Sequence, residues 1–386
     1  AIGSIRNDDD KSNVLDSGSD QGQVRVFEYA NNSWNQIGQE LHGNNGEWFG
    51  SEVYLNNNGD RLLVRGLGNA ANGTFHIFQW NPINWTWEPL ADPNTYNSEI
   101  SLSGDGNRFA FQSSGPIQTN EFNQTYVHWN VKILEYDNNQ WSQIGNTIYK
   151  YFNEHADNNQ PDFGDQIELN YNGDRIIISA SDARTNNLTQ AGVVSVYELS
   201  NNVWNPLGAD IVGNTANDYF GSSVSISDDG NTIAIGTHHH DHNGTNDGQT
   251  RVYRLTNSNW SQITPNINGD LYDKAGWDID LSGDGESIVI GAPFAINGQG
   301  MDPARGAGRV FSEKYFTLST SIIGEGTVSP QNGTYPANSN IVIQSTSQSG
   351  WLFTGWTGSF TDDYTSSNRV ISMTSNITAI ANFSDD

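Results

Sequence analysis

Short runs in which aliphatic or aromatic side chains alternate with small polar ones recur through most of the chain. In Ser223–Ile226, Val224 and Ile226 fall on one side and Ser223 and Ser225 on the other, the period of a half-buried strand. Three signals return in fixed order around such runs. A Phe-Gly pair opens a strand at Phe49-Gly50, Phe163-Gly164 and Phe220-Gly221, with Gly276-Trp277 as a variant. A glycine-centred hairpin turn follows at Asn58-Gly59-Asp60, Asp105-Gly106-Asn107, Asn172-Gly173-Asp174, Asp229-Gly230-Asn231 and Asp284-Gly285-Glu286, where glycine supplies the positive φ of a two-residue connection. A strand led by tryptophan closes the unit at Trp34–Gly38, Trp141–Gly145, Trp204–Gly208 and Trp260–Ile263. Two more strands lie between turn and Trp, as in Ile233–Gly236 and Arg251–Leu255.

The unit is therefore four antiparallel strands. No such sheet buries both of its faces alone, so the units stack around a closed ring. The pattern predicts an all-β chain: a six-bladed β-propeller over residues 1–313 (seven blades if more of it lies elsewhere), followed by a small all-β module over 314–386. Ala1-Ile2-Gly3 aligns with Ala234-Ile235-Gly236, so the chain opens inside the second strand of a blade. The last blade has Trp277–Leu281, Ser287–Gly291 and Arg309–Ser312 but no Trp strand. Twenty-two strands are then present, two short of six complete blades. The expectation is that an N-terminal segment of roughly 25–35 residues, or a neighbouring chain, supplies the missing pair.

Composition narrows the function. The hydrophobic fraction is 35 %, while 40 Gly, 12 Trp, 15 Tyr and 16 Phe suit many short strands joined by polar turns. With 44 acidic against 17 basic residues the net charge is −27, which excludes the basic footprint of a nucleic-acid binder and repels an anionic membrane surface. The absence of cysteine removes disulfides and thiolate metal sites, and no run of 18 apolar residues spans a membrane. A chain that begins at Ala1, without an initiator Met, reads as a processed product or a piece of something longer.

The repeated Phe-Gly pairs, with Ile290-Gly-Ala-Pro293 leading to Gly308-Arg-Val-Phe311, resemble the FG-GAP repeats of integrin α chains and bacterial surface proteins, over about residues 1–312. That family's calcium loop between the first two strands is replaced here by short turns such as Ser103–Gly106, so blade-embedded calcium sites are not carried over. The tail from Tyr315 to Phe383 resembles the divergent InlB B-repeat module, on Gly324–Pro330, Gly333–Pro336, Gly350–Trp356 and Ala379–Phe383. The resemblance implies an all-β spacer or adhesive module and a secreted or cell-surface bacterial setting. Trp351, Phe353 and Trp356 alternate as a strand needs to bury aromatics in so small a domain.

Candidate chemistry falls on the long loops joining second to third strands, which share one face of a propeller. His238-His239-His240-Asp241-His242 offers imidazole and carboxylate ligands for zinc or another divalent metal, although neighbours in an extended loop point to alternate sides. His238, His240, Asp241 and His242 are the metal candidates there. Asp8 and Asp10, in an acidic loop with Asp9, Asp16 and Asp20, are oxygen ligands of the kind calcium takes. Trp48, Tyr126 and Trp129 are candidate stacking surfaces for sugar rings, with Arg184 and Arg305 as cations. No cofactor beyond calcium or another divalent ion is indicated. The leading reading is an extracellular bacterial adhesin or binding module that presents its loop face to a glycan or cell-surface protein, as part of a larger chain or assembly. The alternatives are a polysaccharide lyase or hydrolase and a structural subunit of a surface filament or layer. Binding is preferred to catalysis, because no nucleophile motif or phosphate loop is present.

Overall fold

The structure is a computed structural model. It describes residues 1–4, 21–67, 74–90, 99–119, 125–150, 152, 161–241, 245–295, 306–312, 315–336, 339–360 and 365–385. The chain divides into two compact units, Ala1–Val310 and Phe311–Asp386.

The first unit is a six-bladed β-propeller with six antiparallel sheets in chain order. The second sheet is a complete four-stranded blade: Phe49–Leu55, Arg61–Gly66, Thr74–Asn81 and Thr86–Pro89. The third, fourth and fifth begin with Ile100–Leu102, Ile167–Leu169 and Ser223–Ile226, and each adds to its four strands a two-residue fifth, Ile148–Tyr149, Ile211–Val212 and Ile267–Asn268, paired to the third strand. The first sheet holds Ile2–Ser4, Gln23–Ala30 and Ser33–His42, and the sixth holds Ile279–Leu281, Ser287–Ala292 and Ala307–Ser312. Among the described residues the first sheet thus has no opening strand and the sixth no Trp strand.

Each core lies between neighbouring blades. Ile233 and Ile235 of the fifth sheet pack on Ile177, Val194 and Val196 of the fourth, while Ala234 and Val252, on the opposite face, pack on Ile279, Ile288 and Ile290 of the sixth. The phenylalanines of the Phe-Gly pairs, Phe49, Phe163 and Phe220, are fully buried, each contributing about 2–3 kcal/mol of apolar transfer energy. The following glycine has a positive φ of 88°, 91° and 92° at Gly50, Gly164 and Gly221.

The repeating tryptophans fasten blade to blade. The Trp204 indole N–H donates to the Ile144 carbonyl at 3.1 Å and that of Trp260 to Leu207 at 2.8 Å. A methyl group on Gly145 or Gly208 would meet those indoles at 2.6 and 2.8 Å, which explains the glycine that ends the Trp-x-x-x-Gly signature. Trp87 occupies the same place in the second sheet.

The glycine-centred turns are wider than the two-residue connection expected of them. Five residues separate the strands in every case, as in Ser103–Asn107 and Ser227–Asn231. Their first side chain caps the returning strand: Asn56, Ser103, Asn170, Ser227 and Ser282 accept from the backbone N–H of Arg61, Arg108, Arg175, Thr232 and Ser287 at 2.8–3.0 Å. The two-residue hairpins are instead those before the Trp strands, where Asn31-Asn32, Asn138-Asn139, Asn201-Asn202 and Asn257-Ser258 all take φ between 50° and 62°. Asparagine tolerates that left-handed conformation, and two such residues in series make the turn whose twist matches the strands.

The tail unit is a four-stranded sheet (Gly333–Pro336, Tyr315–Ile323, Ile377–Asp385, Trp351–Gly358 in spatial order) and a three-stranded sheet (Gly326–Ser329, Asn340–Ser347, Asn368–Ser372). They share a core of Leu318, Val328, Ile343, Trp356, Ile371 and Phe383. Trp351 and Phe353 are two residues apart and Trp356 three further on, so simple alternation would send Trp356 to the outer face. A register shift between Phe353 and Gly355 restores it to the core.

Candidate functional site

Two polar regions are built by the blades. The first is a cavity of about 550 Å3 lined by the opening strands of sheets two to six. Buried serines on these strands hydrogen-bond across to the neighbouring one: Ser101 Oγ accepts from Leu169 N at 2.9 Å and Ser225 Oγ from Leu281 N at 3.0 Å. Glu168 and Asp280 stand at the equivalent position of their own strands, with Glu99 and Asp278 one step away on the same side. Burial, and then the Asp280 carboxylate, push Glu168 up to about 8. Burial and Glu52 push Glu99 up to about 8, and Asp280 is raised by burial and Asp278. Near neutral pH the protonated form of both glutamates is favoured, which removes part of the lining's negative charge. At the turn end, Asn57 N donates to Gly104 O at 2.9 Å, Asp105 N to Tyr171 O at 2.8 Å and Asp228 N to Gly283 O at 2.8 Å. Asn57 Nδ2 reaches Asp228 Oδ1 at 3.1 Å, from the second blade to the fifth.

The second region lies at the other end of the strands, where the loops after the second strands of sheets five and six meet the residues around their opening glycines. Five rings touch in series: Tyr219 to His239 (5.2 Å), His239 to His238 (4.4 Å), His238 to Trp277 (4.6 Å) and Trp277 to Phe294 (6.0 Å). Trp277 is 46 % and Phe294 43 % exposed. The Lys274 ammonium sits 5.3 Å from the Trp277 ring centre and 5.1 Å from that of Phe294, within cation–π range. Tyr219 and Lys274 occupy the same repeat position, two residues ahead of the opening glycines Gly221 and Gly276, with φ of 56° and 52°. Trp48 stands there in the second sheet with φ of 53°. The residue before each is a buried acid held by a different partner: Glu47 by His76 and Thr74, Asp218 by His240 at 2.7 Å, Asp273 by Arg309 at 2.6 Å. The blade thus anchors an acid and presents its neighbour to the loop face.

The histidine run separates along these partners. His238 Nδ1 lies 2.8 Å from Ser222 Oγ, His240 Nδ1 faces Asp218, and Asp241 accepts from Asn246 N at 2.5 Å. Among the described residues no three His, Asp or Glu side chains form a group able to hold a metal ion; His238, His240 and Asp241 each face a separate partner. The run leaves its strand in a turn, closed by His240 N donating to Thr237 O at 3.2 Å, and the His238 and His239 rings lie together while His240 turns to Asp218. His242, Asp8, Asp10, Arg305 and the side chain of Tyr126 lie outside the described residues.

The remaining candidates are placed separately. Trp129 packs against the core between sheets three and four and bonds to Asp162, and Arg184 is partly buried beside Ala183. Burial, with His239 and Lys274 as like charges, lowers His238 to about 4. Ser222 and His238 have the spacing of a nucleophile and its base, yet the carboxylate Asp218 binds the other imidazole, so no Asp-His-Ser relay is assembled. Trp277 entered the sequence reading only as a variant of Phe-Gly. Lys274 and Phe294 gave no signal there, because they meet His238 only once blades five and six are side by side.

An FG-GAP repeat matches residues 213–253, and a divergent InlB B-repeat domain matches 316–386. The matched repeat spans the fifth blade's strands up to Tyr253 and includes the histidine run. No curated protein matches the chain. Among solved structures, TolB from Acinetobacter baumannii is 11 % identical with a TM-score of 0.39, over 70 % of this chain and 54 % of its own, so the chain spans about half of that protein. Hydrazine synthase from Kuenenia stuttgartiensis is 9 % identical with a TM-score of 0.40, over 69 % of this chain and 74 % of its own. The two family matches are those of a surface or extracellular repeat protein. No helix among the described residues is long and apolar enough to cross a membrane.

Proposed function

We propose that the chain is an extracellular bacterial binding protein that takes a carbohydrate on the aromatic shelf over blades five and six. The observation that carries this reading is the exposed Trp277–Phe294 pair, continued by His238, His239 and Tyr219 and bordered by Lys274. A contiguous aromatic surface exposed at a loop face is where stacking against the apolar face of a sugar ring gains most, with polar side chains beside it to set orientation. Lys274 adds one cation to a strongly acidic molecule and favours a sugar that carries a carboxylate. His238, lowered to about 4, is neutral and a weak base at neutral pH, which supports binding over lyase chemistry.

Retention on immobilised neutral and uronic-acid polysaccharides, followed by tryptophan fluorescence titration, tests the assignment. Wild-type protein binds with quenching, Trp277→Ala loses at least tenfold in affinity with an unchanged unfolding midpoint, and Lys274→Ala loses selectively for the acidic sugar. No retention on any glycan, or full affinity in Trp277→Ala, would overturn it.

A further inference from the structure

One hairpin breaks the pattern of the turns before the Trp strands. Sheets one, three, four and five make that turn with two residues, Asn-Asn or Asn-Ser, which take the left-handed conformation at little cost. The second sheet puts four residues, 82–85, between Thr74–Asn81 and Thr86–Pro89, and the one that takes a positive φ is Trp85, at 57°. A bulky side chain in that region strains the backbone, where asparagine or glycine would turn freely. Trp85 is 65 % and its neighbour Ile83 is 87 % exposed, so burial does not offset the strain. Strain of this kind is retained where the side chain it displays serves a ligand.

The residues around Trp85 form a small platform. Its indole meets Trp80 edge to face, with 6.0 Å between ring centres and 87° between planes, and Trp80 leans in turn on the buried Trp87. An edge-to-face contact covers one face of one ring at most, so at least one face of Trp85 is open. Asn81 Oδ1 accepts from the backbone N–H groups of Ile83 and Asn84 at 2.9 and 3.2 Å, which fixes the turn. Glu88 Oε1 accepts from the side-chain amides of Asn81 at 2.7 Å and Asn84 at 3.4 Å. Among the described residues nothing donates to Glu88 Oε2 or to the Asn84 side-chain oxygen, and no cation pairs with Glu88.

We propose that this hairpin is a second carbohydrate site, for a neutral sugar. The open indole face takes the apolar C–H face of a pyranose ring, and Glu88 and Asn84 accept from its hydroxyls. A carboxylate without a paired cation repels a uronate, so the preference is the reverse of the one that Lys274 gives the shelf over blades five and six. The hairpin joins third to fourth strand and stands at the turn end of its blade, whereas the shelf stands at the loop end. The two sites therefore share no residue, and this one stands whether or not the shelf binds.

The test is affinity electrophoresis of the 386-residue protein in gels containing dextran, laminarin, mannan, starch or polygalacturonate. Trp277→Ala removes the shelf, so retardation that survives in that variant belongs to another site. It is expected to survive with at least one of the neutral polysaccharides. Adding Trp85→Asn weakens it at least tenfold in apparent Kd, while the thermal unfolding midpoint stays equal or rises, because asparagine suits the turn. A lowered midpoint would make Trp85 a packing residue and overturn the proposal. So would the absence of retardation of Trp277→Ala in every neutral gel, or retardation that Trp85→Asn leaves intact. Retardation by polygalacturonate that Trp85→Asn abolishes overturns the neutral-sugar assignment. Co-sedimentation with phosphatidylcholine vesicles that Trp85→Asn abolishes, without retardation by any glycan, would make a membrane surface the occupant and overturn it too.

Discussion

Replacing Glu168 by Gln separates charge from shape in the axial cavity. Glu168 accepts from Ser225 Oγ at 3.4 Å and from the Ile226 backbone, and both bonds survive on an amide oxygen. Its carboxyl is raised from 4.5 to about 8 in the folded chain. The folded state therefore holds a proton that the unfolded state releases between those values, and stability falls as pH rises through that window. pH 7 lies 2.5 units above the unfolded group's 4.5, so keeping the side chain protonated in the cavity costs about 3 kcal/mol. At pH 5 the same arithmetic leaves under about 1 kcal/mol. Glu168→Gln removes the cost. Urea unfolding followed by tryptophan fluorescence is expected to show the variant about 3 kcal/mol more stable than wild type at pH 7, roughly 5 °C in midpoint, and nearly equal at pH 5. An equal gain at both pH values would mean improved packing. No gain at pH 7 would mean that water in the cavity solvates the carboxylate, and the reasoning would fail.

Glu47 gives the opposite sign. Burial alone would raise it, but hydrogen bonds from His76, the Asn44 backbone and Thr74 hold it at about 2, so its contribution is present above 4.5 and lost as pH falls toward 2; Glu47→Gln should remove about 3 kcal/mol of acid-dependent stability, read as a flatter midpoint-versus-pH curve below pH 5. Gly192→Ala and Gly306→Ala place the same methyl on the same positive-φ backbone. The first is expected to cost at least about 3 kcal/mol and the second about 1 kcal/mol by urea unfolding, the difference being the Phe220 carbonyl that only Gly192 faces; equal losses would mean that the carbonyl does not set the cost.

Much of the architecture was legible because one side chain did one job at every repeat. Phe49, Phe163 and Phe220 are buried at blade junctions, and Trp204 and Trp260 staple neighbouring sheets, so repetition alone marked them as structural. The turn types were not, since Asn-Gly-Asp carries the stronger two-residue hairpin signal, yet Asn-Asn makes the tighter turn. The axial carboxylates were out of reach too. Glu99, Glu168 and Asp280 occupy the polar positions of alternating strands, and nothing in the alternation says that these positions face a shared cavity rather than bulk water. The histidine run drew attention by its composition, but its partners Trp277 and Phe294 lie some 40 to 55 residues onward and join it through blade packing.

In the tail unit, Tyr315–Ile323 and Ile377–Asp385 are the first and last strands and lie side by side in parallel, with Leu318 opposite Ile377 and Ile323 opposite Asn382. The polypeptide therefore enters at one end of the unit and leaves at the other, a span of about 30 Å for a nine-residue strand. Tension applied through those two ends pulls the strands past one another. The bonds between them must then yield together, where an antiparallel hairpin would open one rung at a time. Loaded through its two ends, a module wired this way resists being stretched.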